Sequence, residues 1–174
     1  MSKIATALTG MLLVAGVASA QTANPIADGL LLELKSHQQN MVSAAEAMPA
    51  EKYGFKPTPE MTSLADILYH AAQANHMLCA MLSGATPPET AVKATGTKPE
   101  LVDQLTASFA FCAQEIPKLD PATLGAEVSM FGRKVTKGWV ALHTALDYGD
   151  HYAQVATRLR LAGVIPPSAQ RRSQ

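Results

Sequence analysis

Asp147 and His151 stand four residues apart, and on an α-helix that spacing stacks a carboxylate and an imidazole on one edge. Tyr148 and Val155 flank His151, which puts it at the border of an apolar face and turns it toward a groove between helices. His143 falls on the same row one turn earlier, at an angle that points further from the groove. His70 sits on the flank of a second helical stretch, about 120° from the centre of its apolar face at about 100° per residue. If those two helices are neighbours, His70, Asp147 and His151 make a three-sided cluster. Two imidazoles and one carboxylate suit zinc, nickel or iron, and they leave a coordination position for water or a thiolate. The spacing fits a plainer arrangement equally well, because a helical chain with five histidines brings such pairs together by chance. In that case His70 donates to a backbone carbonyl and Asp147 faces water.

The elements that must hold these residues can be read from periodicity and punctuation. A first helix opens at Asn24-Pro25, a cap followed by a first-turn proline, and runs to about Ala47. Ile26, Leu30, Leu34, Met41 and Met48 mark its inward stripe, on which His37 also falls, as a core or ligand-supporting histidine. A proline-rich connector follows, through Pro49, Pro57 and Pro59. The second helix starts at Ser63, which has capping-box spacing to Asp66, and ends at Ser83-Gly84. Its inward face is Leu64, Ile67, Leu68, Ala71, Asn75, Leu78 and Leu82; His70 shares a flank with Ala74 and Met77, and His76 takes the opposite, solvated flank.

Thr97 and Glu100 box the third helix, whose stripe is Leu101, Leu105, Phe109, Cys112 and Ile116 before Pro117. From Asp120 to Lys134 the chain reads as an irregular loop or short hairpin crossing one end of the molecule. The fourth helix runs from about Thr136 to Ala162, with Ala141, Ala145, Tyr148, Tyr152, Val155 and Leu159 inward and Trp139 near the loop. The tail after Pro166-Pro167 reads as frayed. Four amphipathic helices without a run of alternating strands predict an all-α, four-helix bundle with an irregular loop or short hairpin between helices 3 and 4.

Composition narrows the classes. Lys plus Arg and Asp plus Glu are 14 each, so no net field gathers phosphate, and there is no basic stripe for nucleic acid. Lys3, an apolar run from Ile4 to Val17, and Ala18-Ser19-Ala20 ahead of Gln21 read as a signal peptide cleaved after Ala20. Residues 1–20 are then the signal and 21–174 a single domain, exported to the periplasm or secreted, with no stable membrane insertion after cleavage. In an oxidising compartment Cys79 and Cys112 can bridge; two small buried hydrophobes fit the spacing as well.

Three segments resemble the DinB-like superfamily of helix bundles: Met48-Pro-Ala-Glu-Lys-Tyr-Gly-Phe-Lys-Pro-Thr-Pro59; Ser63-Leu-Ala-Asp-Ile-Leu-Tyr-His70-Ala-Ala-Gln-Ala-Asn75, with Cys79 beyond; and Asp150-His151-Tyr152-Ala-Gln154, continuing through Arg160 and Gly163 to Pro166-Pro167-Ser168. The resemblance spans residues 24–168. It implies a divalent metal, nickel or zinc in most relatives, held by one histidine of the second helix and a His-x-x-x-His pair of the fourth. His70 and His151 match the outer positions, and Asp147 stands where relatives have histidine. A carboxylate there suits zinc, iron or manganese, or marks a site that has lapsed. The resemblance also implies a metal-dependent transferase using a small thiol, or else a non-catalytic bundle binding a small ligand, and a helix-packed homodimer.

Overall fold

The computed structural model describes residues 24–171. The signal-like segment at residues 1–20 lies outside them. Four long helices carry the chain: α1 (Pro25–Ala47), α2 (Leu64–Ser83), α3 (Lys98–Glu115) and α4 (Lys137–Leu161). A two-stranded antiparallel hairpin, β1 (Glu127–Met130) and β2 (Arg133–Thr136), precedes α4, and a short α5 (Pro167–Arg171) follows it. None of the described helices is long and apolar enough to cross a membrane.

Each end is set by residues the sequence supplies. The Asn24 side chain accepts from the Ala27 amide at 3.1 Å and starts α1. The last turn of α1 has no basic residue of its own; Lys98 reaches across and donates to the Glu46 and Met48 carbonyls at 2.6 and 2.8 Å. Around α2 the box is reciprocal: the Ser63 amide donates to Asp66 Oδ2 at 2.9 Å and the Asp66 amide donates to Ser63 Oγ at 3.2 Å. The Ser63 hydroxyl, donating to Asp66 Oδ2 at 2.6 Å, and then the Ser63 amide hold the Asp66 carboxyl below its ordinary range. Gly84, at φ 86°, closes α2 in the left-handed region.

The packed pairs are α1–α4, α4–α2, α2–α3 and α3–α1, so α1 faces α2 across one diagonal and α3 faces α4 across the other. Both diagonal steps therefore need long connections. Residues 48–63 make the first, and buried Tyr53 pins it by donating to the Ala45 carbonyl at 2.7 Å. Arg158 of α4 donates through Nε to the Thr62 carbonyl at 2.9 Å and ties the connector's far end. The second connection is the segment with the hairpin, as the sequence predicts.

Leu64, Leu68, Leu78 and Leu82 of α2 are at most 1% exposed, and each contributes roughly 1.5–3 kcal/mol by burial. This burial outweighs helix propensity, a few tenths of a kcal/mol per residue at most positions. Across α2 and α3 the core admits a polar pair, Asn75 Nδ2 donating to Ser108 Oγ at 2.9 Å, and a disulfide between Cys79 and Cys112, whose Cα atoms are 5.2 Å apart. The bridge closes a 33-residue separation, for which chain entropy gives roughly 3–4 kcal/mol.

The sequence reading needs three corrections here. Ile26 is 43% exposed, and Ala27 takes the inward position ahead of Leu30, Leu34 and Met41, which are buried as expected. His76 is buried, not solvated, since residues 84–97 fold back over its flank and bring the Thr90 hydroxyl to 3.2 Å from its Nδ1. The tail is ordered through α5, which packs on α1 and bonds the Ser168 hydroxyl to that of Tyr152.

Candidate functional site

Because α2 and α4 pack side by side, the flank of α2 that bears His70 meets the edge of α4 that bears Asp147 and His151. The rings of His70 and His151 lie edge to face, with centroids 5.1 Å apart. His151 Nδ1 is 3.3 Å from Asp147 Oδ2, one helical turn away. The structure thus brings together the three residues selected by spacing. Their exposure differs: His70 is exposed, the Asp147 side chain is 17% exposed and that of His151 is 4% exposed.

A pocket of about 390 Å³ opens beside them. From α2 it takes His70, Gln73, Ala74, Met77 and Leu78; from α4, His143 and Asp147; from the hairpin, Met130 and Phe131. His151 is buried and does not line this pocket. His143 lines this pocket with its ring stacked on Trp139 at 4.7 Å, which corrects the expectation that it points away. The hairpin wall was not legible as part of a site. Its signal was the Phe131-Gly132 pair, a turn dipeptide carrying a large aromatic.

Burial holds the His151 imidazole below its ordinary range; the Asp147 carboxylate opposes that shift, and His70 adds to it. A neutral imidazole keeps a lone pair for coordination. Asp147 Oδ2 is itself buried and accepts no hydrogen bond among the described residues. A carboxylate oxygen in that condition is costly to leave unpaired, and a cation would satisfy it. Two imidazoles and a carboxylate are a competent donor set for zinc, nickel or iron. As placed, however, no group of three or more His, Cys, Asp and Glu side chains among the described residues is gathered to hold a metal ion. His151 turns Nδ1 to Asp147, and His70 meets the ring of His151 edge-on.

The other histidines lie elsewhere. His37 sits between α1 and α4, with its ring 6.0 Å from that of Tyr148 and Nε2 3.4 Å from Glu33. Buried His76 packs edge to face on Phe111, on the α3 side of α2.

Fold and site together define a four-helix bundle with two diagonal crossovers and a histidine- and carboxylate-lined pocket between its second and fourth helices. Residues 33–155 match the family model of the DinB superfamily, and the chain belongs to that family. Among solved structures it is similar to a DinB-like protein from Bacillus subtilis, with a TM-score of 0.64 and 19% identity over 78% of this chain and 92% of that one. It is also similar to a conserved protein from Enterococcus faecalis (TM-score 0.62, 16% identity, covering 82% and 98%). A DinB-like protein from Bacillus cereus matches at a TM-score of 0.60 and 15% identity, covering 80% and 95%. At these identities the likeness establishes the fold. No curated protein matches the chain.

Proposed function

We propose that this protein is an exported metal-binding member of its family, which holds a divalent cation, zinc, nickel or iron, on His70, Asp147 and His151 and acts on a small molecule in the adjoining pocket. The observation that carries the reading is buried Asp147 Oδ2, which accepts no hydrogen bond among the described residues although His151 Nδ1 stands 3.3 Å away, set beside His70 on the wall of a pocket. The three donors are not gathered as placed, and exposed His70 is the one that would have to turn toward the others. A bound ion would supply Lewis-acid chemistry, lowering the pKa of a water or a small thiol at its open position.

The chain's own residues do the rest. Burial holds the His151 imidazole below its ordinary range beside Asp147, while Met77, Leu78, Met130 and Phe131 keep one side of the pocket apolar. This arrangement supports a metal-dependent transferase that uses a thiol or water. Export is supported by the signal-like start of the chain and by the Cys79–Cys112 bridge, which belongs in an oxidising compartment. A second reading, a non-catalytic bundle that binds a small ligand, draws on the Asp147–His151 pairing, in which two of the three donors already serve each other.

Metal quantification decides the matter. Mature protein loaded with zinc and dialysed should retain one ion per chain, and His70→Ala and Asp147→Asn should each lose it. Wild-type protein that emerges free of metal refutes the reading.

A further inference from the structure

The tip of the hairpin carries a residue that its turn disfavours. Met130 pairs with Arg133, so Phe131 and Gly132 are the two central residues of the turn, at φ 51° and 73°. Turns with positive φ at both positions favour Asn-Gly or Asp-Gly, and a bulky side chain is out of place at the first. Burial does not explain the choice either, because Phe131 is 77% exposed, more than any other large apolar residue among those described. Its neighbour Met130 is 3% exposed and anchors the hairpin to the core. That leaves the pocket: Phe131, Met130, Met77 and Leu78 line it together with His70 and Asp147. Backbone strain accepted at the rim of a pocket is a sign of selection for what the side chain does there.

We propose that Phe131 grips the ligand, and that the pocket takes a small organic anion with a flat aromatic body and an oxygen or sulfur donor head. This rests on the metal-binding reading above. The volume of about 390 Å³ suits a single-ring molecule with short substituents. Its ring packs against Phe131, and the Met77 and Met130 thioethers add sulfur–aromatic contacts. Its anionic head would meet a cation that His70, Asp147 and His151 would hold. The division of the lining, apolar from the hairpin and Met77-Leu78, polar from His70, His143 and Asp147, matches such a two-part molecule.

The experiment uses two probes with the same head: benzohydroxamate, which has a ring, and acetohydroxamate, which has none. Binding to zinc-loaded mature protein is followed by calorimetry and by the fluorescence of Trp139, the chain's one tryptophan, which lines an adjoining pocket with Phe131. The ring should tighten binding about tenfold, the scale of one aromatic contact with some apolar burial. In Phe131→Asn that advantage should vanish while acetohydroxamate affinity and bound zinc stay unchanged; Phe131→Tyr should keep it. Because asparagine suits the turn, the melting temperature of Phe131→Asn should not fall. Zinc-loaded protein that binds both probes equally, or keeps its preference in Phe131→Asn, overturns the assignment and leaves the metal site standing. Protein that holds no zinc and binds neither probe overturns both.

Discussion

His151 Nδ1 stands 3.3 Å from Asp147 Oδ2, and this carboxylate opposes the burial that holds the imidazole below its ordinary pKa. Asp147→Asn therefore removes the larger of the two carboxylate effects that oppose desolvation and leaves only that of Asp150. In metal-free protein the His151 pKa should fall further, read as a displacement of its NMR titration midpoint to lower pH. A midpoint that moves upward contradicts the pairing.

Asp147 takes the position where the family resemblance of the sequence implies a histidine. Asp147→His should convert the site to three imidazoles, which favour nickel and zinc over manganese. Competition dialysis should show the manganese share dropping in the variant. An unchanged metal preference means that residue 147 is not a ligand.

The Cys79–Cys112 bridge closes the α2–α3 pair around a loop of 33 residues. Replacing both cysteines by alanine should cost about 3 kcal/mol in urea unfolding. Intact mass with and without reductant should differ by two hydrogens, which checks the bond itself.

His76 is buried against Phe111 and Thr90, and burial lowers its pKa from 6.5. A histidine kept neutral in the fold adds stability that is present above its unfolded pKa and is lost as pH falls below it. The urea midpoint of metal-free protein should therefore decline from about pH 7 to pH 5.5. His76→Leu, which cannot protonate, should flatten that decline; an equally steep one would show that other groups cause it.

Ser108 is the acceptor for the buried Asn75 side chain. Ser108→Ala strands that donor and should destabilise the fold by roughly 1–3 kcal/mol. Asn75→Leu with Ser108→Ala removes both polar groups and should recover part of the loss, as a double-mutant cycle would measure.

The elements were legible because their signals are local. Ser63 with Asp66, Asn24-Pro25, and Ser83-Gly84 place helix ends through bonds within a turn or two, and the stripes of α2, α3 and α4 follow from 3.6-residue periodicity. His76 and Ile26 were misjudged for one reason: a helical wheel gives the angle of a side chain, and neither the loop that covers it nor the neighbour that stops short of it. His143 shows the same limit, since its angle on the wheel did not reveal that the tip of the hairpin closes a pocket beside it.

By itself the sequence determined the four helices and the pairing of Asp147 with His151, because each depends on contacts within one turn of chain. Only the tertiary structure decided that α2 rather than α1 or α3 lies beside that pair with its His70 flank, that Cys79 meets Cys112, and that Phe131 hangs over the pocket. Those facts depend on which helices take the diagonals of the bundle, and the burial that settles it is shared by residues far apart in the chain.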